Sequence, residues 1–262
     1  MNISSSVISP STNSGRNGTA TAVQSTIVLV HGAFVDVYVW ARVSANLQAR
    51  GFRVIGVNLP GRPSAGSPTG HATIDAYRDT VLAAIEEEYR PVVLVGHGFG
   101  GIVASAVAEA APYMIKTIVY LSAYLPQDGD SMFSLMKQDG GRRIVPALDM
   151  DTSRDRITVD YALRADLFAN GAPQDIRDLV PDLIVDESLL PMLTPVTLTA
   201  ARFAQVDKVY IHTANDLIVS PGFQEQMVTN TPVRLRLHLD TGHSPYLTDA
   251  AALTSAIENA VG

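Results

Sequence analysis

Val92-Val93-Leu94-Val95-Gly96-His97-Gly98-Phe99-Gly100-Gly101, continued by Ile102 to Ala110, is the stretch on which the fold turns. Its run of β-branched and apolar residues predicts a strand buried on both faces. The glycines allow a tight reversal, and Ala104, Ala106, Ala108, Ala110 and Ala111 favour a helix that can lie close to the sheet. Two motifs share this strand-turn-helix shape. Read literally, Gly96-x-Gly98-x-x-Gly101 is a dinucleotide fingerprint, in which amides at a helix start hold a pyrophosphate. The other is a nucleophile elbow, Gly-x-Ser-x-Gly, with Gly98 in the place of the serine. A dinucleotide site wants an acid at the end of the next strand, roughly 20 residues on. Here that strand ends Val119-Tyr120-Leu121-Ser122-Ala123, without a carboxylate, and two strand-like runs already precede the glycine turn. The elbow is the better reading.

Working outward, Thr26 to Val30 predicts a buried strand ended by His31-Gly32-Ala33-Phe34, and Tyr38 to Arg50 a helix stopped by Gly51. Phe52 to Val57 predicts a second strand, followed by a Pro/Gly/Ser loop to Gly70. Thr73 is placed to cap a helix with Ile74, Tyr77, Val81, Leu82 and Ile85 on its apolar face. After the elbow helix, Lys116 to Ala123 is another strand. Strand and helix alternate, which implies a parallel sheet with helices on both faces. From residue 126 to 203 the rhythm breaks into short helical pieces such as Tyr161 to Asn170 and Ala172 to Val180, and this segment reads as an insertion over the carboxyl edge of the sheet. Strand, helix, strand and helix resume at Val206–His212, Phe223–Asn230, Val233–Leu239 and Leu247–Ala260. The division is therefore a tail over 1–24, a core over 25–125 and 204–262, and an insertion over 126–203.

Composition narrows the function. At 262 residues with 47% hydrophobic content, the chain can bury one large α/β core. No apolar run approaches the roughly 20 residues of a membrane span. A net charge of −7 gives no basic patch for nucleic acid. Without cysteine there is neither disulfide nor thiolate chemistry, and the six histidines form no close ligand pair in sequence. Met1 to Gln24, rich in Ser, Thr, Asn and Gly, does not resemble a secretory signal; it reads as a disordered tail, with cytoplasm as the default location.

Ligands of open parallel sheets collect beyond the carboxyl ends of the strands. Gly98, His31-Gly32-Ala33, Asn215-Asp216 and Thr241-Gly242-His243-Ser244 all fall there. Elbow, acid and histidine follow in the order of a hydrolase triad. Asp216 would orient the imidazole, and His243 would act as general base and then acid. Asp207 starts a strand at the wrong edge, and Asp240 is too near His243 in sequence to reach it comfortably. His71, His212 and His238 read as loop or strand residues, His97 as a support of the turn, and His31 as a shaper of its own loop.

These words, with Leu121-Ser122-Ala123-Tyr124-Leu125-Pro126 and Phe223-Gln224, resemble an α/β-hydrolase of the plant methylesterase and hydroxynitrile-lyase type, a branch that also has bacterial esterases. The similarity runs in order from about Thr26 to Val261. It implies an α/β-hydrolase fold with a mostly parallel six-stranded sheet under a mostly helical cap. It also implies an oxyanion hole from the backbone amides of Ala33 and Phe99. The expected activity is hydrolysis of a small, mainly apolar ester or lactone without cofactor or metal, at a site touched by Phe34, Tyr124, Met132, Phe133, Met136, Leu167, Phe168 and Met192. No nucleic-acid or membrane partner is expected, and a homodimer is compatible with the sequence.

The departure is at Gly98. Family members carry serine there, and glycine has no atom that attacks a carbonyl. Neither Ser105 nor Ser122 sits on the elbow to replace it. One explanation is a serine-to-glycine replacement made in an active hydrolase to hold substrate unreacted; glycine suits the strained elbow. The other is a binding protein, or a lyase or dioxygenase that needs no nucleophile, on the same scaffold. The intact remainder of the site favours the first.

Overall fold

The computed structural model describes residues 25–62, 66 and 72–262. The expected tail, most of the loop before Gly70 and His71 lie outside the described residues.

Six strands form the central sheet: β1 (Thr26–Val30), β2 (Arg53–Val57), β3 (Val92–His97), β4 (Ile115–Leu121), β8 (Asp207–Thr213) and β9 (Leu235–Leu239). Their order is β2-β1-β3-β4-β8-β9, and every neighbouring pair is parallel. The apolar runs are continuous because alternate residues serve opposite faces. Ile27, Leu29, Val93, Val95, Val119 and Leu121 pack on one face with α1 (Ala41–Ala49) and α10 (Ala250–Val261). Val28, Val30, Leu94, Ile118 and Tyr120 face α2 (Ile74–Ile85), α3 (Gly100–Ala110) and α8 (Pro221–Asn230) on the other. The small residues of α3 earn their place here: Val103, Ala104, Val107 and Ala108 are all fully buried. Element ends shift slightly from the periodicity. The helix expected from Tyr38 opens with a 3₁₀ turn at Val37–Trp40, whose N-cap Asp36 accepts from the Tyr38 amide.

Between β4 and β8 the chain forms α4 (Met132–Gln138), α5 (Arg164–Phe168), α6 (Gln174–Leu183) and α7 (Leu189–Leu193). It also forms a three-stranded antiparallel sheet of β5 (Leu148–Asp151), β6 (Arg156–Val159) and β7 (Glu187–Ser188). This sheet corrects the expectation of short helical pieces alone. Its alternation is visible once located, with Ile157 and Val159 buried and their neighbours less so. The third strand has two residues and exists only through its pairing with Arg156 and Ile157. The segment is stitched to the loops that follow the core strands. Asp139 accepts from the Ser220 amide at 2.8 Å and its hydroxyl at 2.5 Å. The Arg143 amide donates to Leu217 O, and Asn170 Nδ2 to Asn215 O.

Candidate active site

At the end of β3 the backbone turns through Gly98, whose φ of +53° lies in the left-handed region that favours glycine. The turn is tied on both sides: the Gly98 amide donates to Leu121 O, and Gly98 O accepts from the Tyr124 and Gly101 amides. Gly100 allows α3 to start against β1, since a Cβ there would lie 2.8 Å from Val30 O and His31 O. A Cβ built on Gly98 would meet His243 Nε2 at 3.2 Å and Gly32 Cα at 3.8 Å. The elbow, the loop after β1 and the histidine after β9 therefore meet at one point.

The acid loop follows β8. Asp216 Oδ1 accepts from the Ile218 and Val219 amides, at 2.8 and 3.0 Å. Oδ2 accepts from Thr213 Oγ1 at 2.9 Å and Gln224 Nε2 at 3.2 Å. It also lies 2.9 Å from His243 Nδ1. A carboxylate so placed accepts, so Nδ1 carries the proton and Nε2 keeps its lone pair toward Gly98. His243 is held by its own carbonyl, which accepts from His97 Nε2 at 2.9 Å and Ser122 Oγ at 3.1 Å. The rival carboxylates are engaged elsewhere: Asp207 with Thr117 and Arg234, Asp240 with Asn215.

Two more imidazoles lie behind the elbow. His31 Nε2 accepts from the Leu59 amide, so its proton is on Nδ1 and donates to Gly32 O. Burial, aided by the Arg62 charge, lowers the His31 pKa to about 3. His97 is likewise driven well below its ordinary value, by burial first and then by neighbouring His243. Both stay neutral. Among the described residues the amides of Ala33 and Phe99 have no protein acceptor, which is the condition for donating to a ligand oxygen. Ser105 Oγ bonds Gly101 O and Tyr120 OH, and Ser122 Oγ bonds His243 O, so neither hydroxyl is aimed at the elbow as a substitute nucleophile.

Phe34, Tyr124, Met132, Met136, Leu167, Phe168 and Met192 belong to one buried apolar cluster with Ala33 and Phe99, and Phe133 packs against it. The rings of Phe34 and Phe168 meet edge to face at 6.2 Å. Tyr124 brings a buried hydroxyl that has no hydrogen-bond partner among the described residues, kept protonated by burial and by Asp139 and Asp216. A cavity of about 700 Å³ opens between the insertion and the acid loop, lined by Asp139, Arg143, Asn170 and Asp216. Its walls omit Gly98, Phe99 and His243, so it is not where a reacting carbonyl would sit.

One cluster was invisible to sequence spacing. His212 and His238, register partners on β8 and β9, and Glu225 on α8 bring ligand atoms within 4.8 Å of one another. The two rings stack at 4.6 Å with planes 11° apart, so their in-plane lone pairs do not converge, and Arg236 holds the second Glu225 oxygen.

Residues 27–256 match the model of the alpha/beta hydrolase family. Putative methylesterase 11 of Arabidopsis thaliana is 26% identical over 86% of this chain, which spans 61% of that protein's length. Methyl jasmonate esterase 1 of Vitis vinifera is 26% identical over 89% of this chain and 95% of its own. Among solved structures, a pyrethroid hydrolase from Sphingobium faniae JZ-2 superposes with a TM-score of 0.80 at 23% identity, covering 90% of this chain and 97% of that one.

Proposed function

The chain belongs to the alpha/beta hydrolase family, in its methylesterase-like branch, and from that premise we propose that it is a carboxylic-ester or lactone hydrolase whose nucleophilic serine has been replaced by Gly98. With serine at 98, Oγ attacks the ester carbonyl while His243 Nε2 takes its proton and Asp216 steadies the imidazolium. The oxyanion rests on the amides of Ala33 and Phe99. His243 then returns the proton to the leaving alcohol, and a water deprotonated by the same nitrogen releases the acid. Phe34, Tyr124, Met132, Phe133, Met136, Leu167, Phe168 and Met192 enclose a mainly apolar acyl or alkoxy group. With Gly98 no acyl-enzyme forms. No cofactor or metal enters the scheme, and the partner is a small-molecule substrate.

The observation that carries this reading is the 3.2 Å between a Cβ at position 98 and His243 Nε2, with Asp216 behind the ring. Gly98→Ser tests it on short p-nitrophenyl esters. We expect a burst and then turnover at least about 10³-fold above the Gly98 chain, since removing a triad nucleophile costs up to about 10⁶ in kcat. A second reading draws on the same base with nothing to attack: a cofactor-free lyase in which His243 moves a proton and no acyl-enzyme forms. Turnover of a non-ester substrate, unchanged by Gly98→Ser, would replace the first reading with the second. Tight ligand binding without turnover in either form would leave a receptor.

A further inference from the structure

We propose that Glu187, a residue of the insertion, is a positioning residue for the oxyanion donor at Ala33; the assignment rests on the esterase reading above. Glu187 and Arg62 are both 0% exposed and form a two-pronged pair, 2.9 Å from Nη1 to Oε1 and 2.5 Å from Nη2 to Oε2. Tyr77 OH and the Ser188 amide donate to Oε1, at 2.8 and 3.0 Å. The remaining donor to the carboxylate is the amide of Phe34, 3.4 Å from Oε2.

That last bond reaches the loop after β1. Phe34 is a non-glycine residue at φ +64°, a conformation that its surroundings must impose. The insertion grips it twice, through Glu187 at the amide and through the Val185 amide, which donates to Phe34 O at 2.9 Å. Arg62 Nε donates to Val35 O at 2.8 Å, so one ion pair holds two successive residues. On the other side of Ala33, His31 Nδ1 bonds Gly32 O. Peptide groups are planar, so fixing Gly32 O fixes the direction of the Ala33 N–H, while Glu187 fixes the following peptide through its Phe34 N–H. The Ala33 amide is thus aimed from both flanks, one belonging to the core and one to the insertion.

A buried ion pair is a poor stabiliser, and apolar residues of similar volume usually replace it at little cost. Such residues offer no acceptor to the Phe34 amide, however. Loss of that bond should therefore lower kcat and leave KM in place. The test uses the Gly98→Ser enzyme as parent, with Glu187→Gln and the double variant Arg62→Met/Glu187→Met, assayed for kcat, KM and melting temperature. We expect kcat to fall about tenfold or more in the double variant, a part of the 10²–10³ lost when an oxyanion donor is removed outright, and less in Glu187→Gln, whose side-chain oxygen still accepts, with KM within about twofold in both. The double variant should melt below the parent, because the Tyr77 hydroxyl, the Ser188 amide and Val35 O lose their partners with it. A kcat kept within about twofold of the parent in the folded double variant, or a change confined to KM, overturns the assignment. If the double variant fails to fold, Glu187→Gln decides, and a kcat equal to the parent's there overturns the assignment. Absence of hydrolysis in the parent itself removes the esterase reading, and this one with it.

Discussion

On one side of the cleft Asp216 accepts five hydrogen bonds and aligns the His243 ring; on the other, Gly98 offers backbone alone at φ +53°. The first side is built of side chains held in place by hydrogen bonds, the second of a backbone turn in the left-handed region. The contrast extends to the imidazoles. His31 and His97, behind the elbow, are buried, neutral and engaged with backbone carbonyls and amides, whereas His243 pairs with a carboxylate and turns its Nε2 toward Gly98. What sets His243 apart from the other two is the carboxylate on its second ring nitrogen and not burial, since all three are buried.

The contrast can be broken most sharply on the base side. In the Gly98→Ser enzyme, His243→Ala should lower kcat by about 10⁴–10⁶ and Asp216→Asn by about 10⁴, as in other triads. A loss below about tenfold in steady-state ester assays would show that the base side is as idle as the elbow. A smaller effect sharpens the distinction between the imidazoles. The folded pKa of His31 is about 3 against 6.5 when unfolded, so between those values the unfolded chain binds the extra proton. Stability therefore rises with pH: the contribution is complete above 6.5 and is lost as pH falls toward 3. From pH 6.5 to 5 each such histidine removes up to about 2 kcal/mol. His97 works in the same direction. Urea unfolding at pH 7 and 5 should show the loss, and His31→Asn should flatten the slope. The smallest effect is on the elbow. Gly98→Ala should cost about 1 kcal/mol, because a left-handed residue with Cβ is strained by more than the unfolded-state entropy it removes. Equal or greater stability in urea would mean that the turn stores no strain.

How much of this was written in the chain depends on distance along it. The strands were legible because both faces of the sheet are covered, which turns each strand into an unbroken apolar run. The elbow was legible because its glycines follow directly on an apolar strand and Gly98 answers a turn made within a few residues, although the close approach at Gly100 is to the distant β1. Asp216 and His243 could be placed by their motifs and by strand order. The small sheet of the insertion was not, since β7 is two residues long and is a strand only through β6. Nor were Arg62 and Glu187, 125 residues apart, because charged residues in a loop and at an insertion's end look like surface until the fold buries both completely. The stacked His212 and His238 became neighbours only through the pairing of β8 and β9.

The stitches between insertion and core have a practical side. Asp139 to Ser220, Arg143 to Leu217, Asn170 to Asn215 and Val185 to Phe34 fasten the insertion to the loops that frame the candidate site. Anyone remodelling this protein for a new substrate inherits that tailoring. A library that randomises Met132, Phe133, Leu167 or Met192 alters the proposed lining and leaves the seams whole, whereas one that reaches position 139 or 170 unpicks the seams along with the cloth.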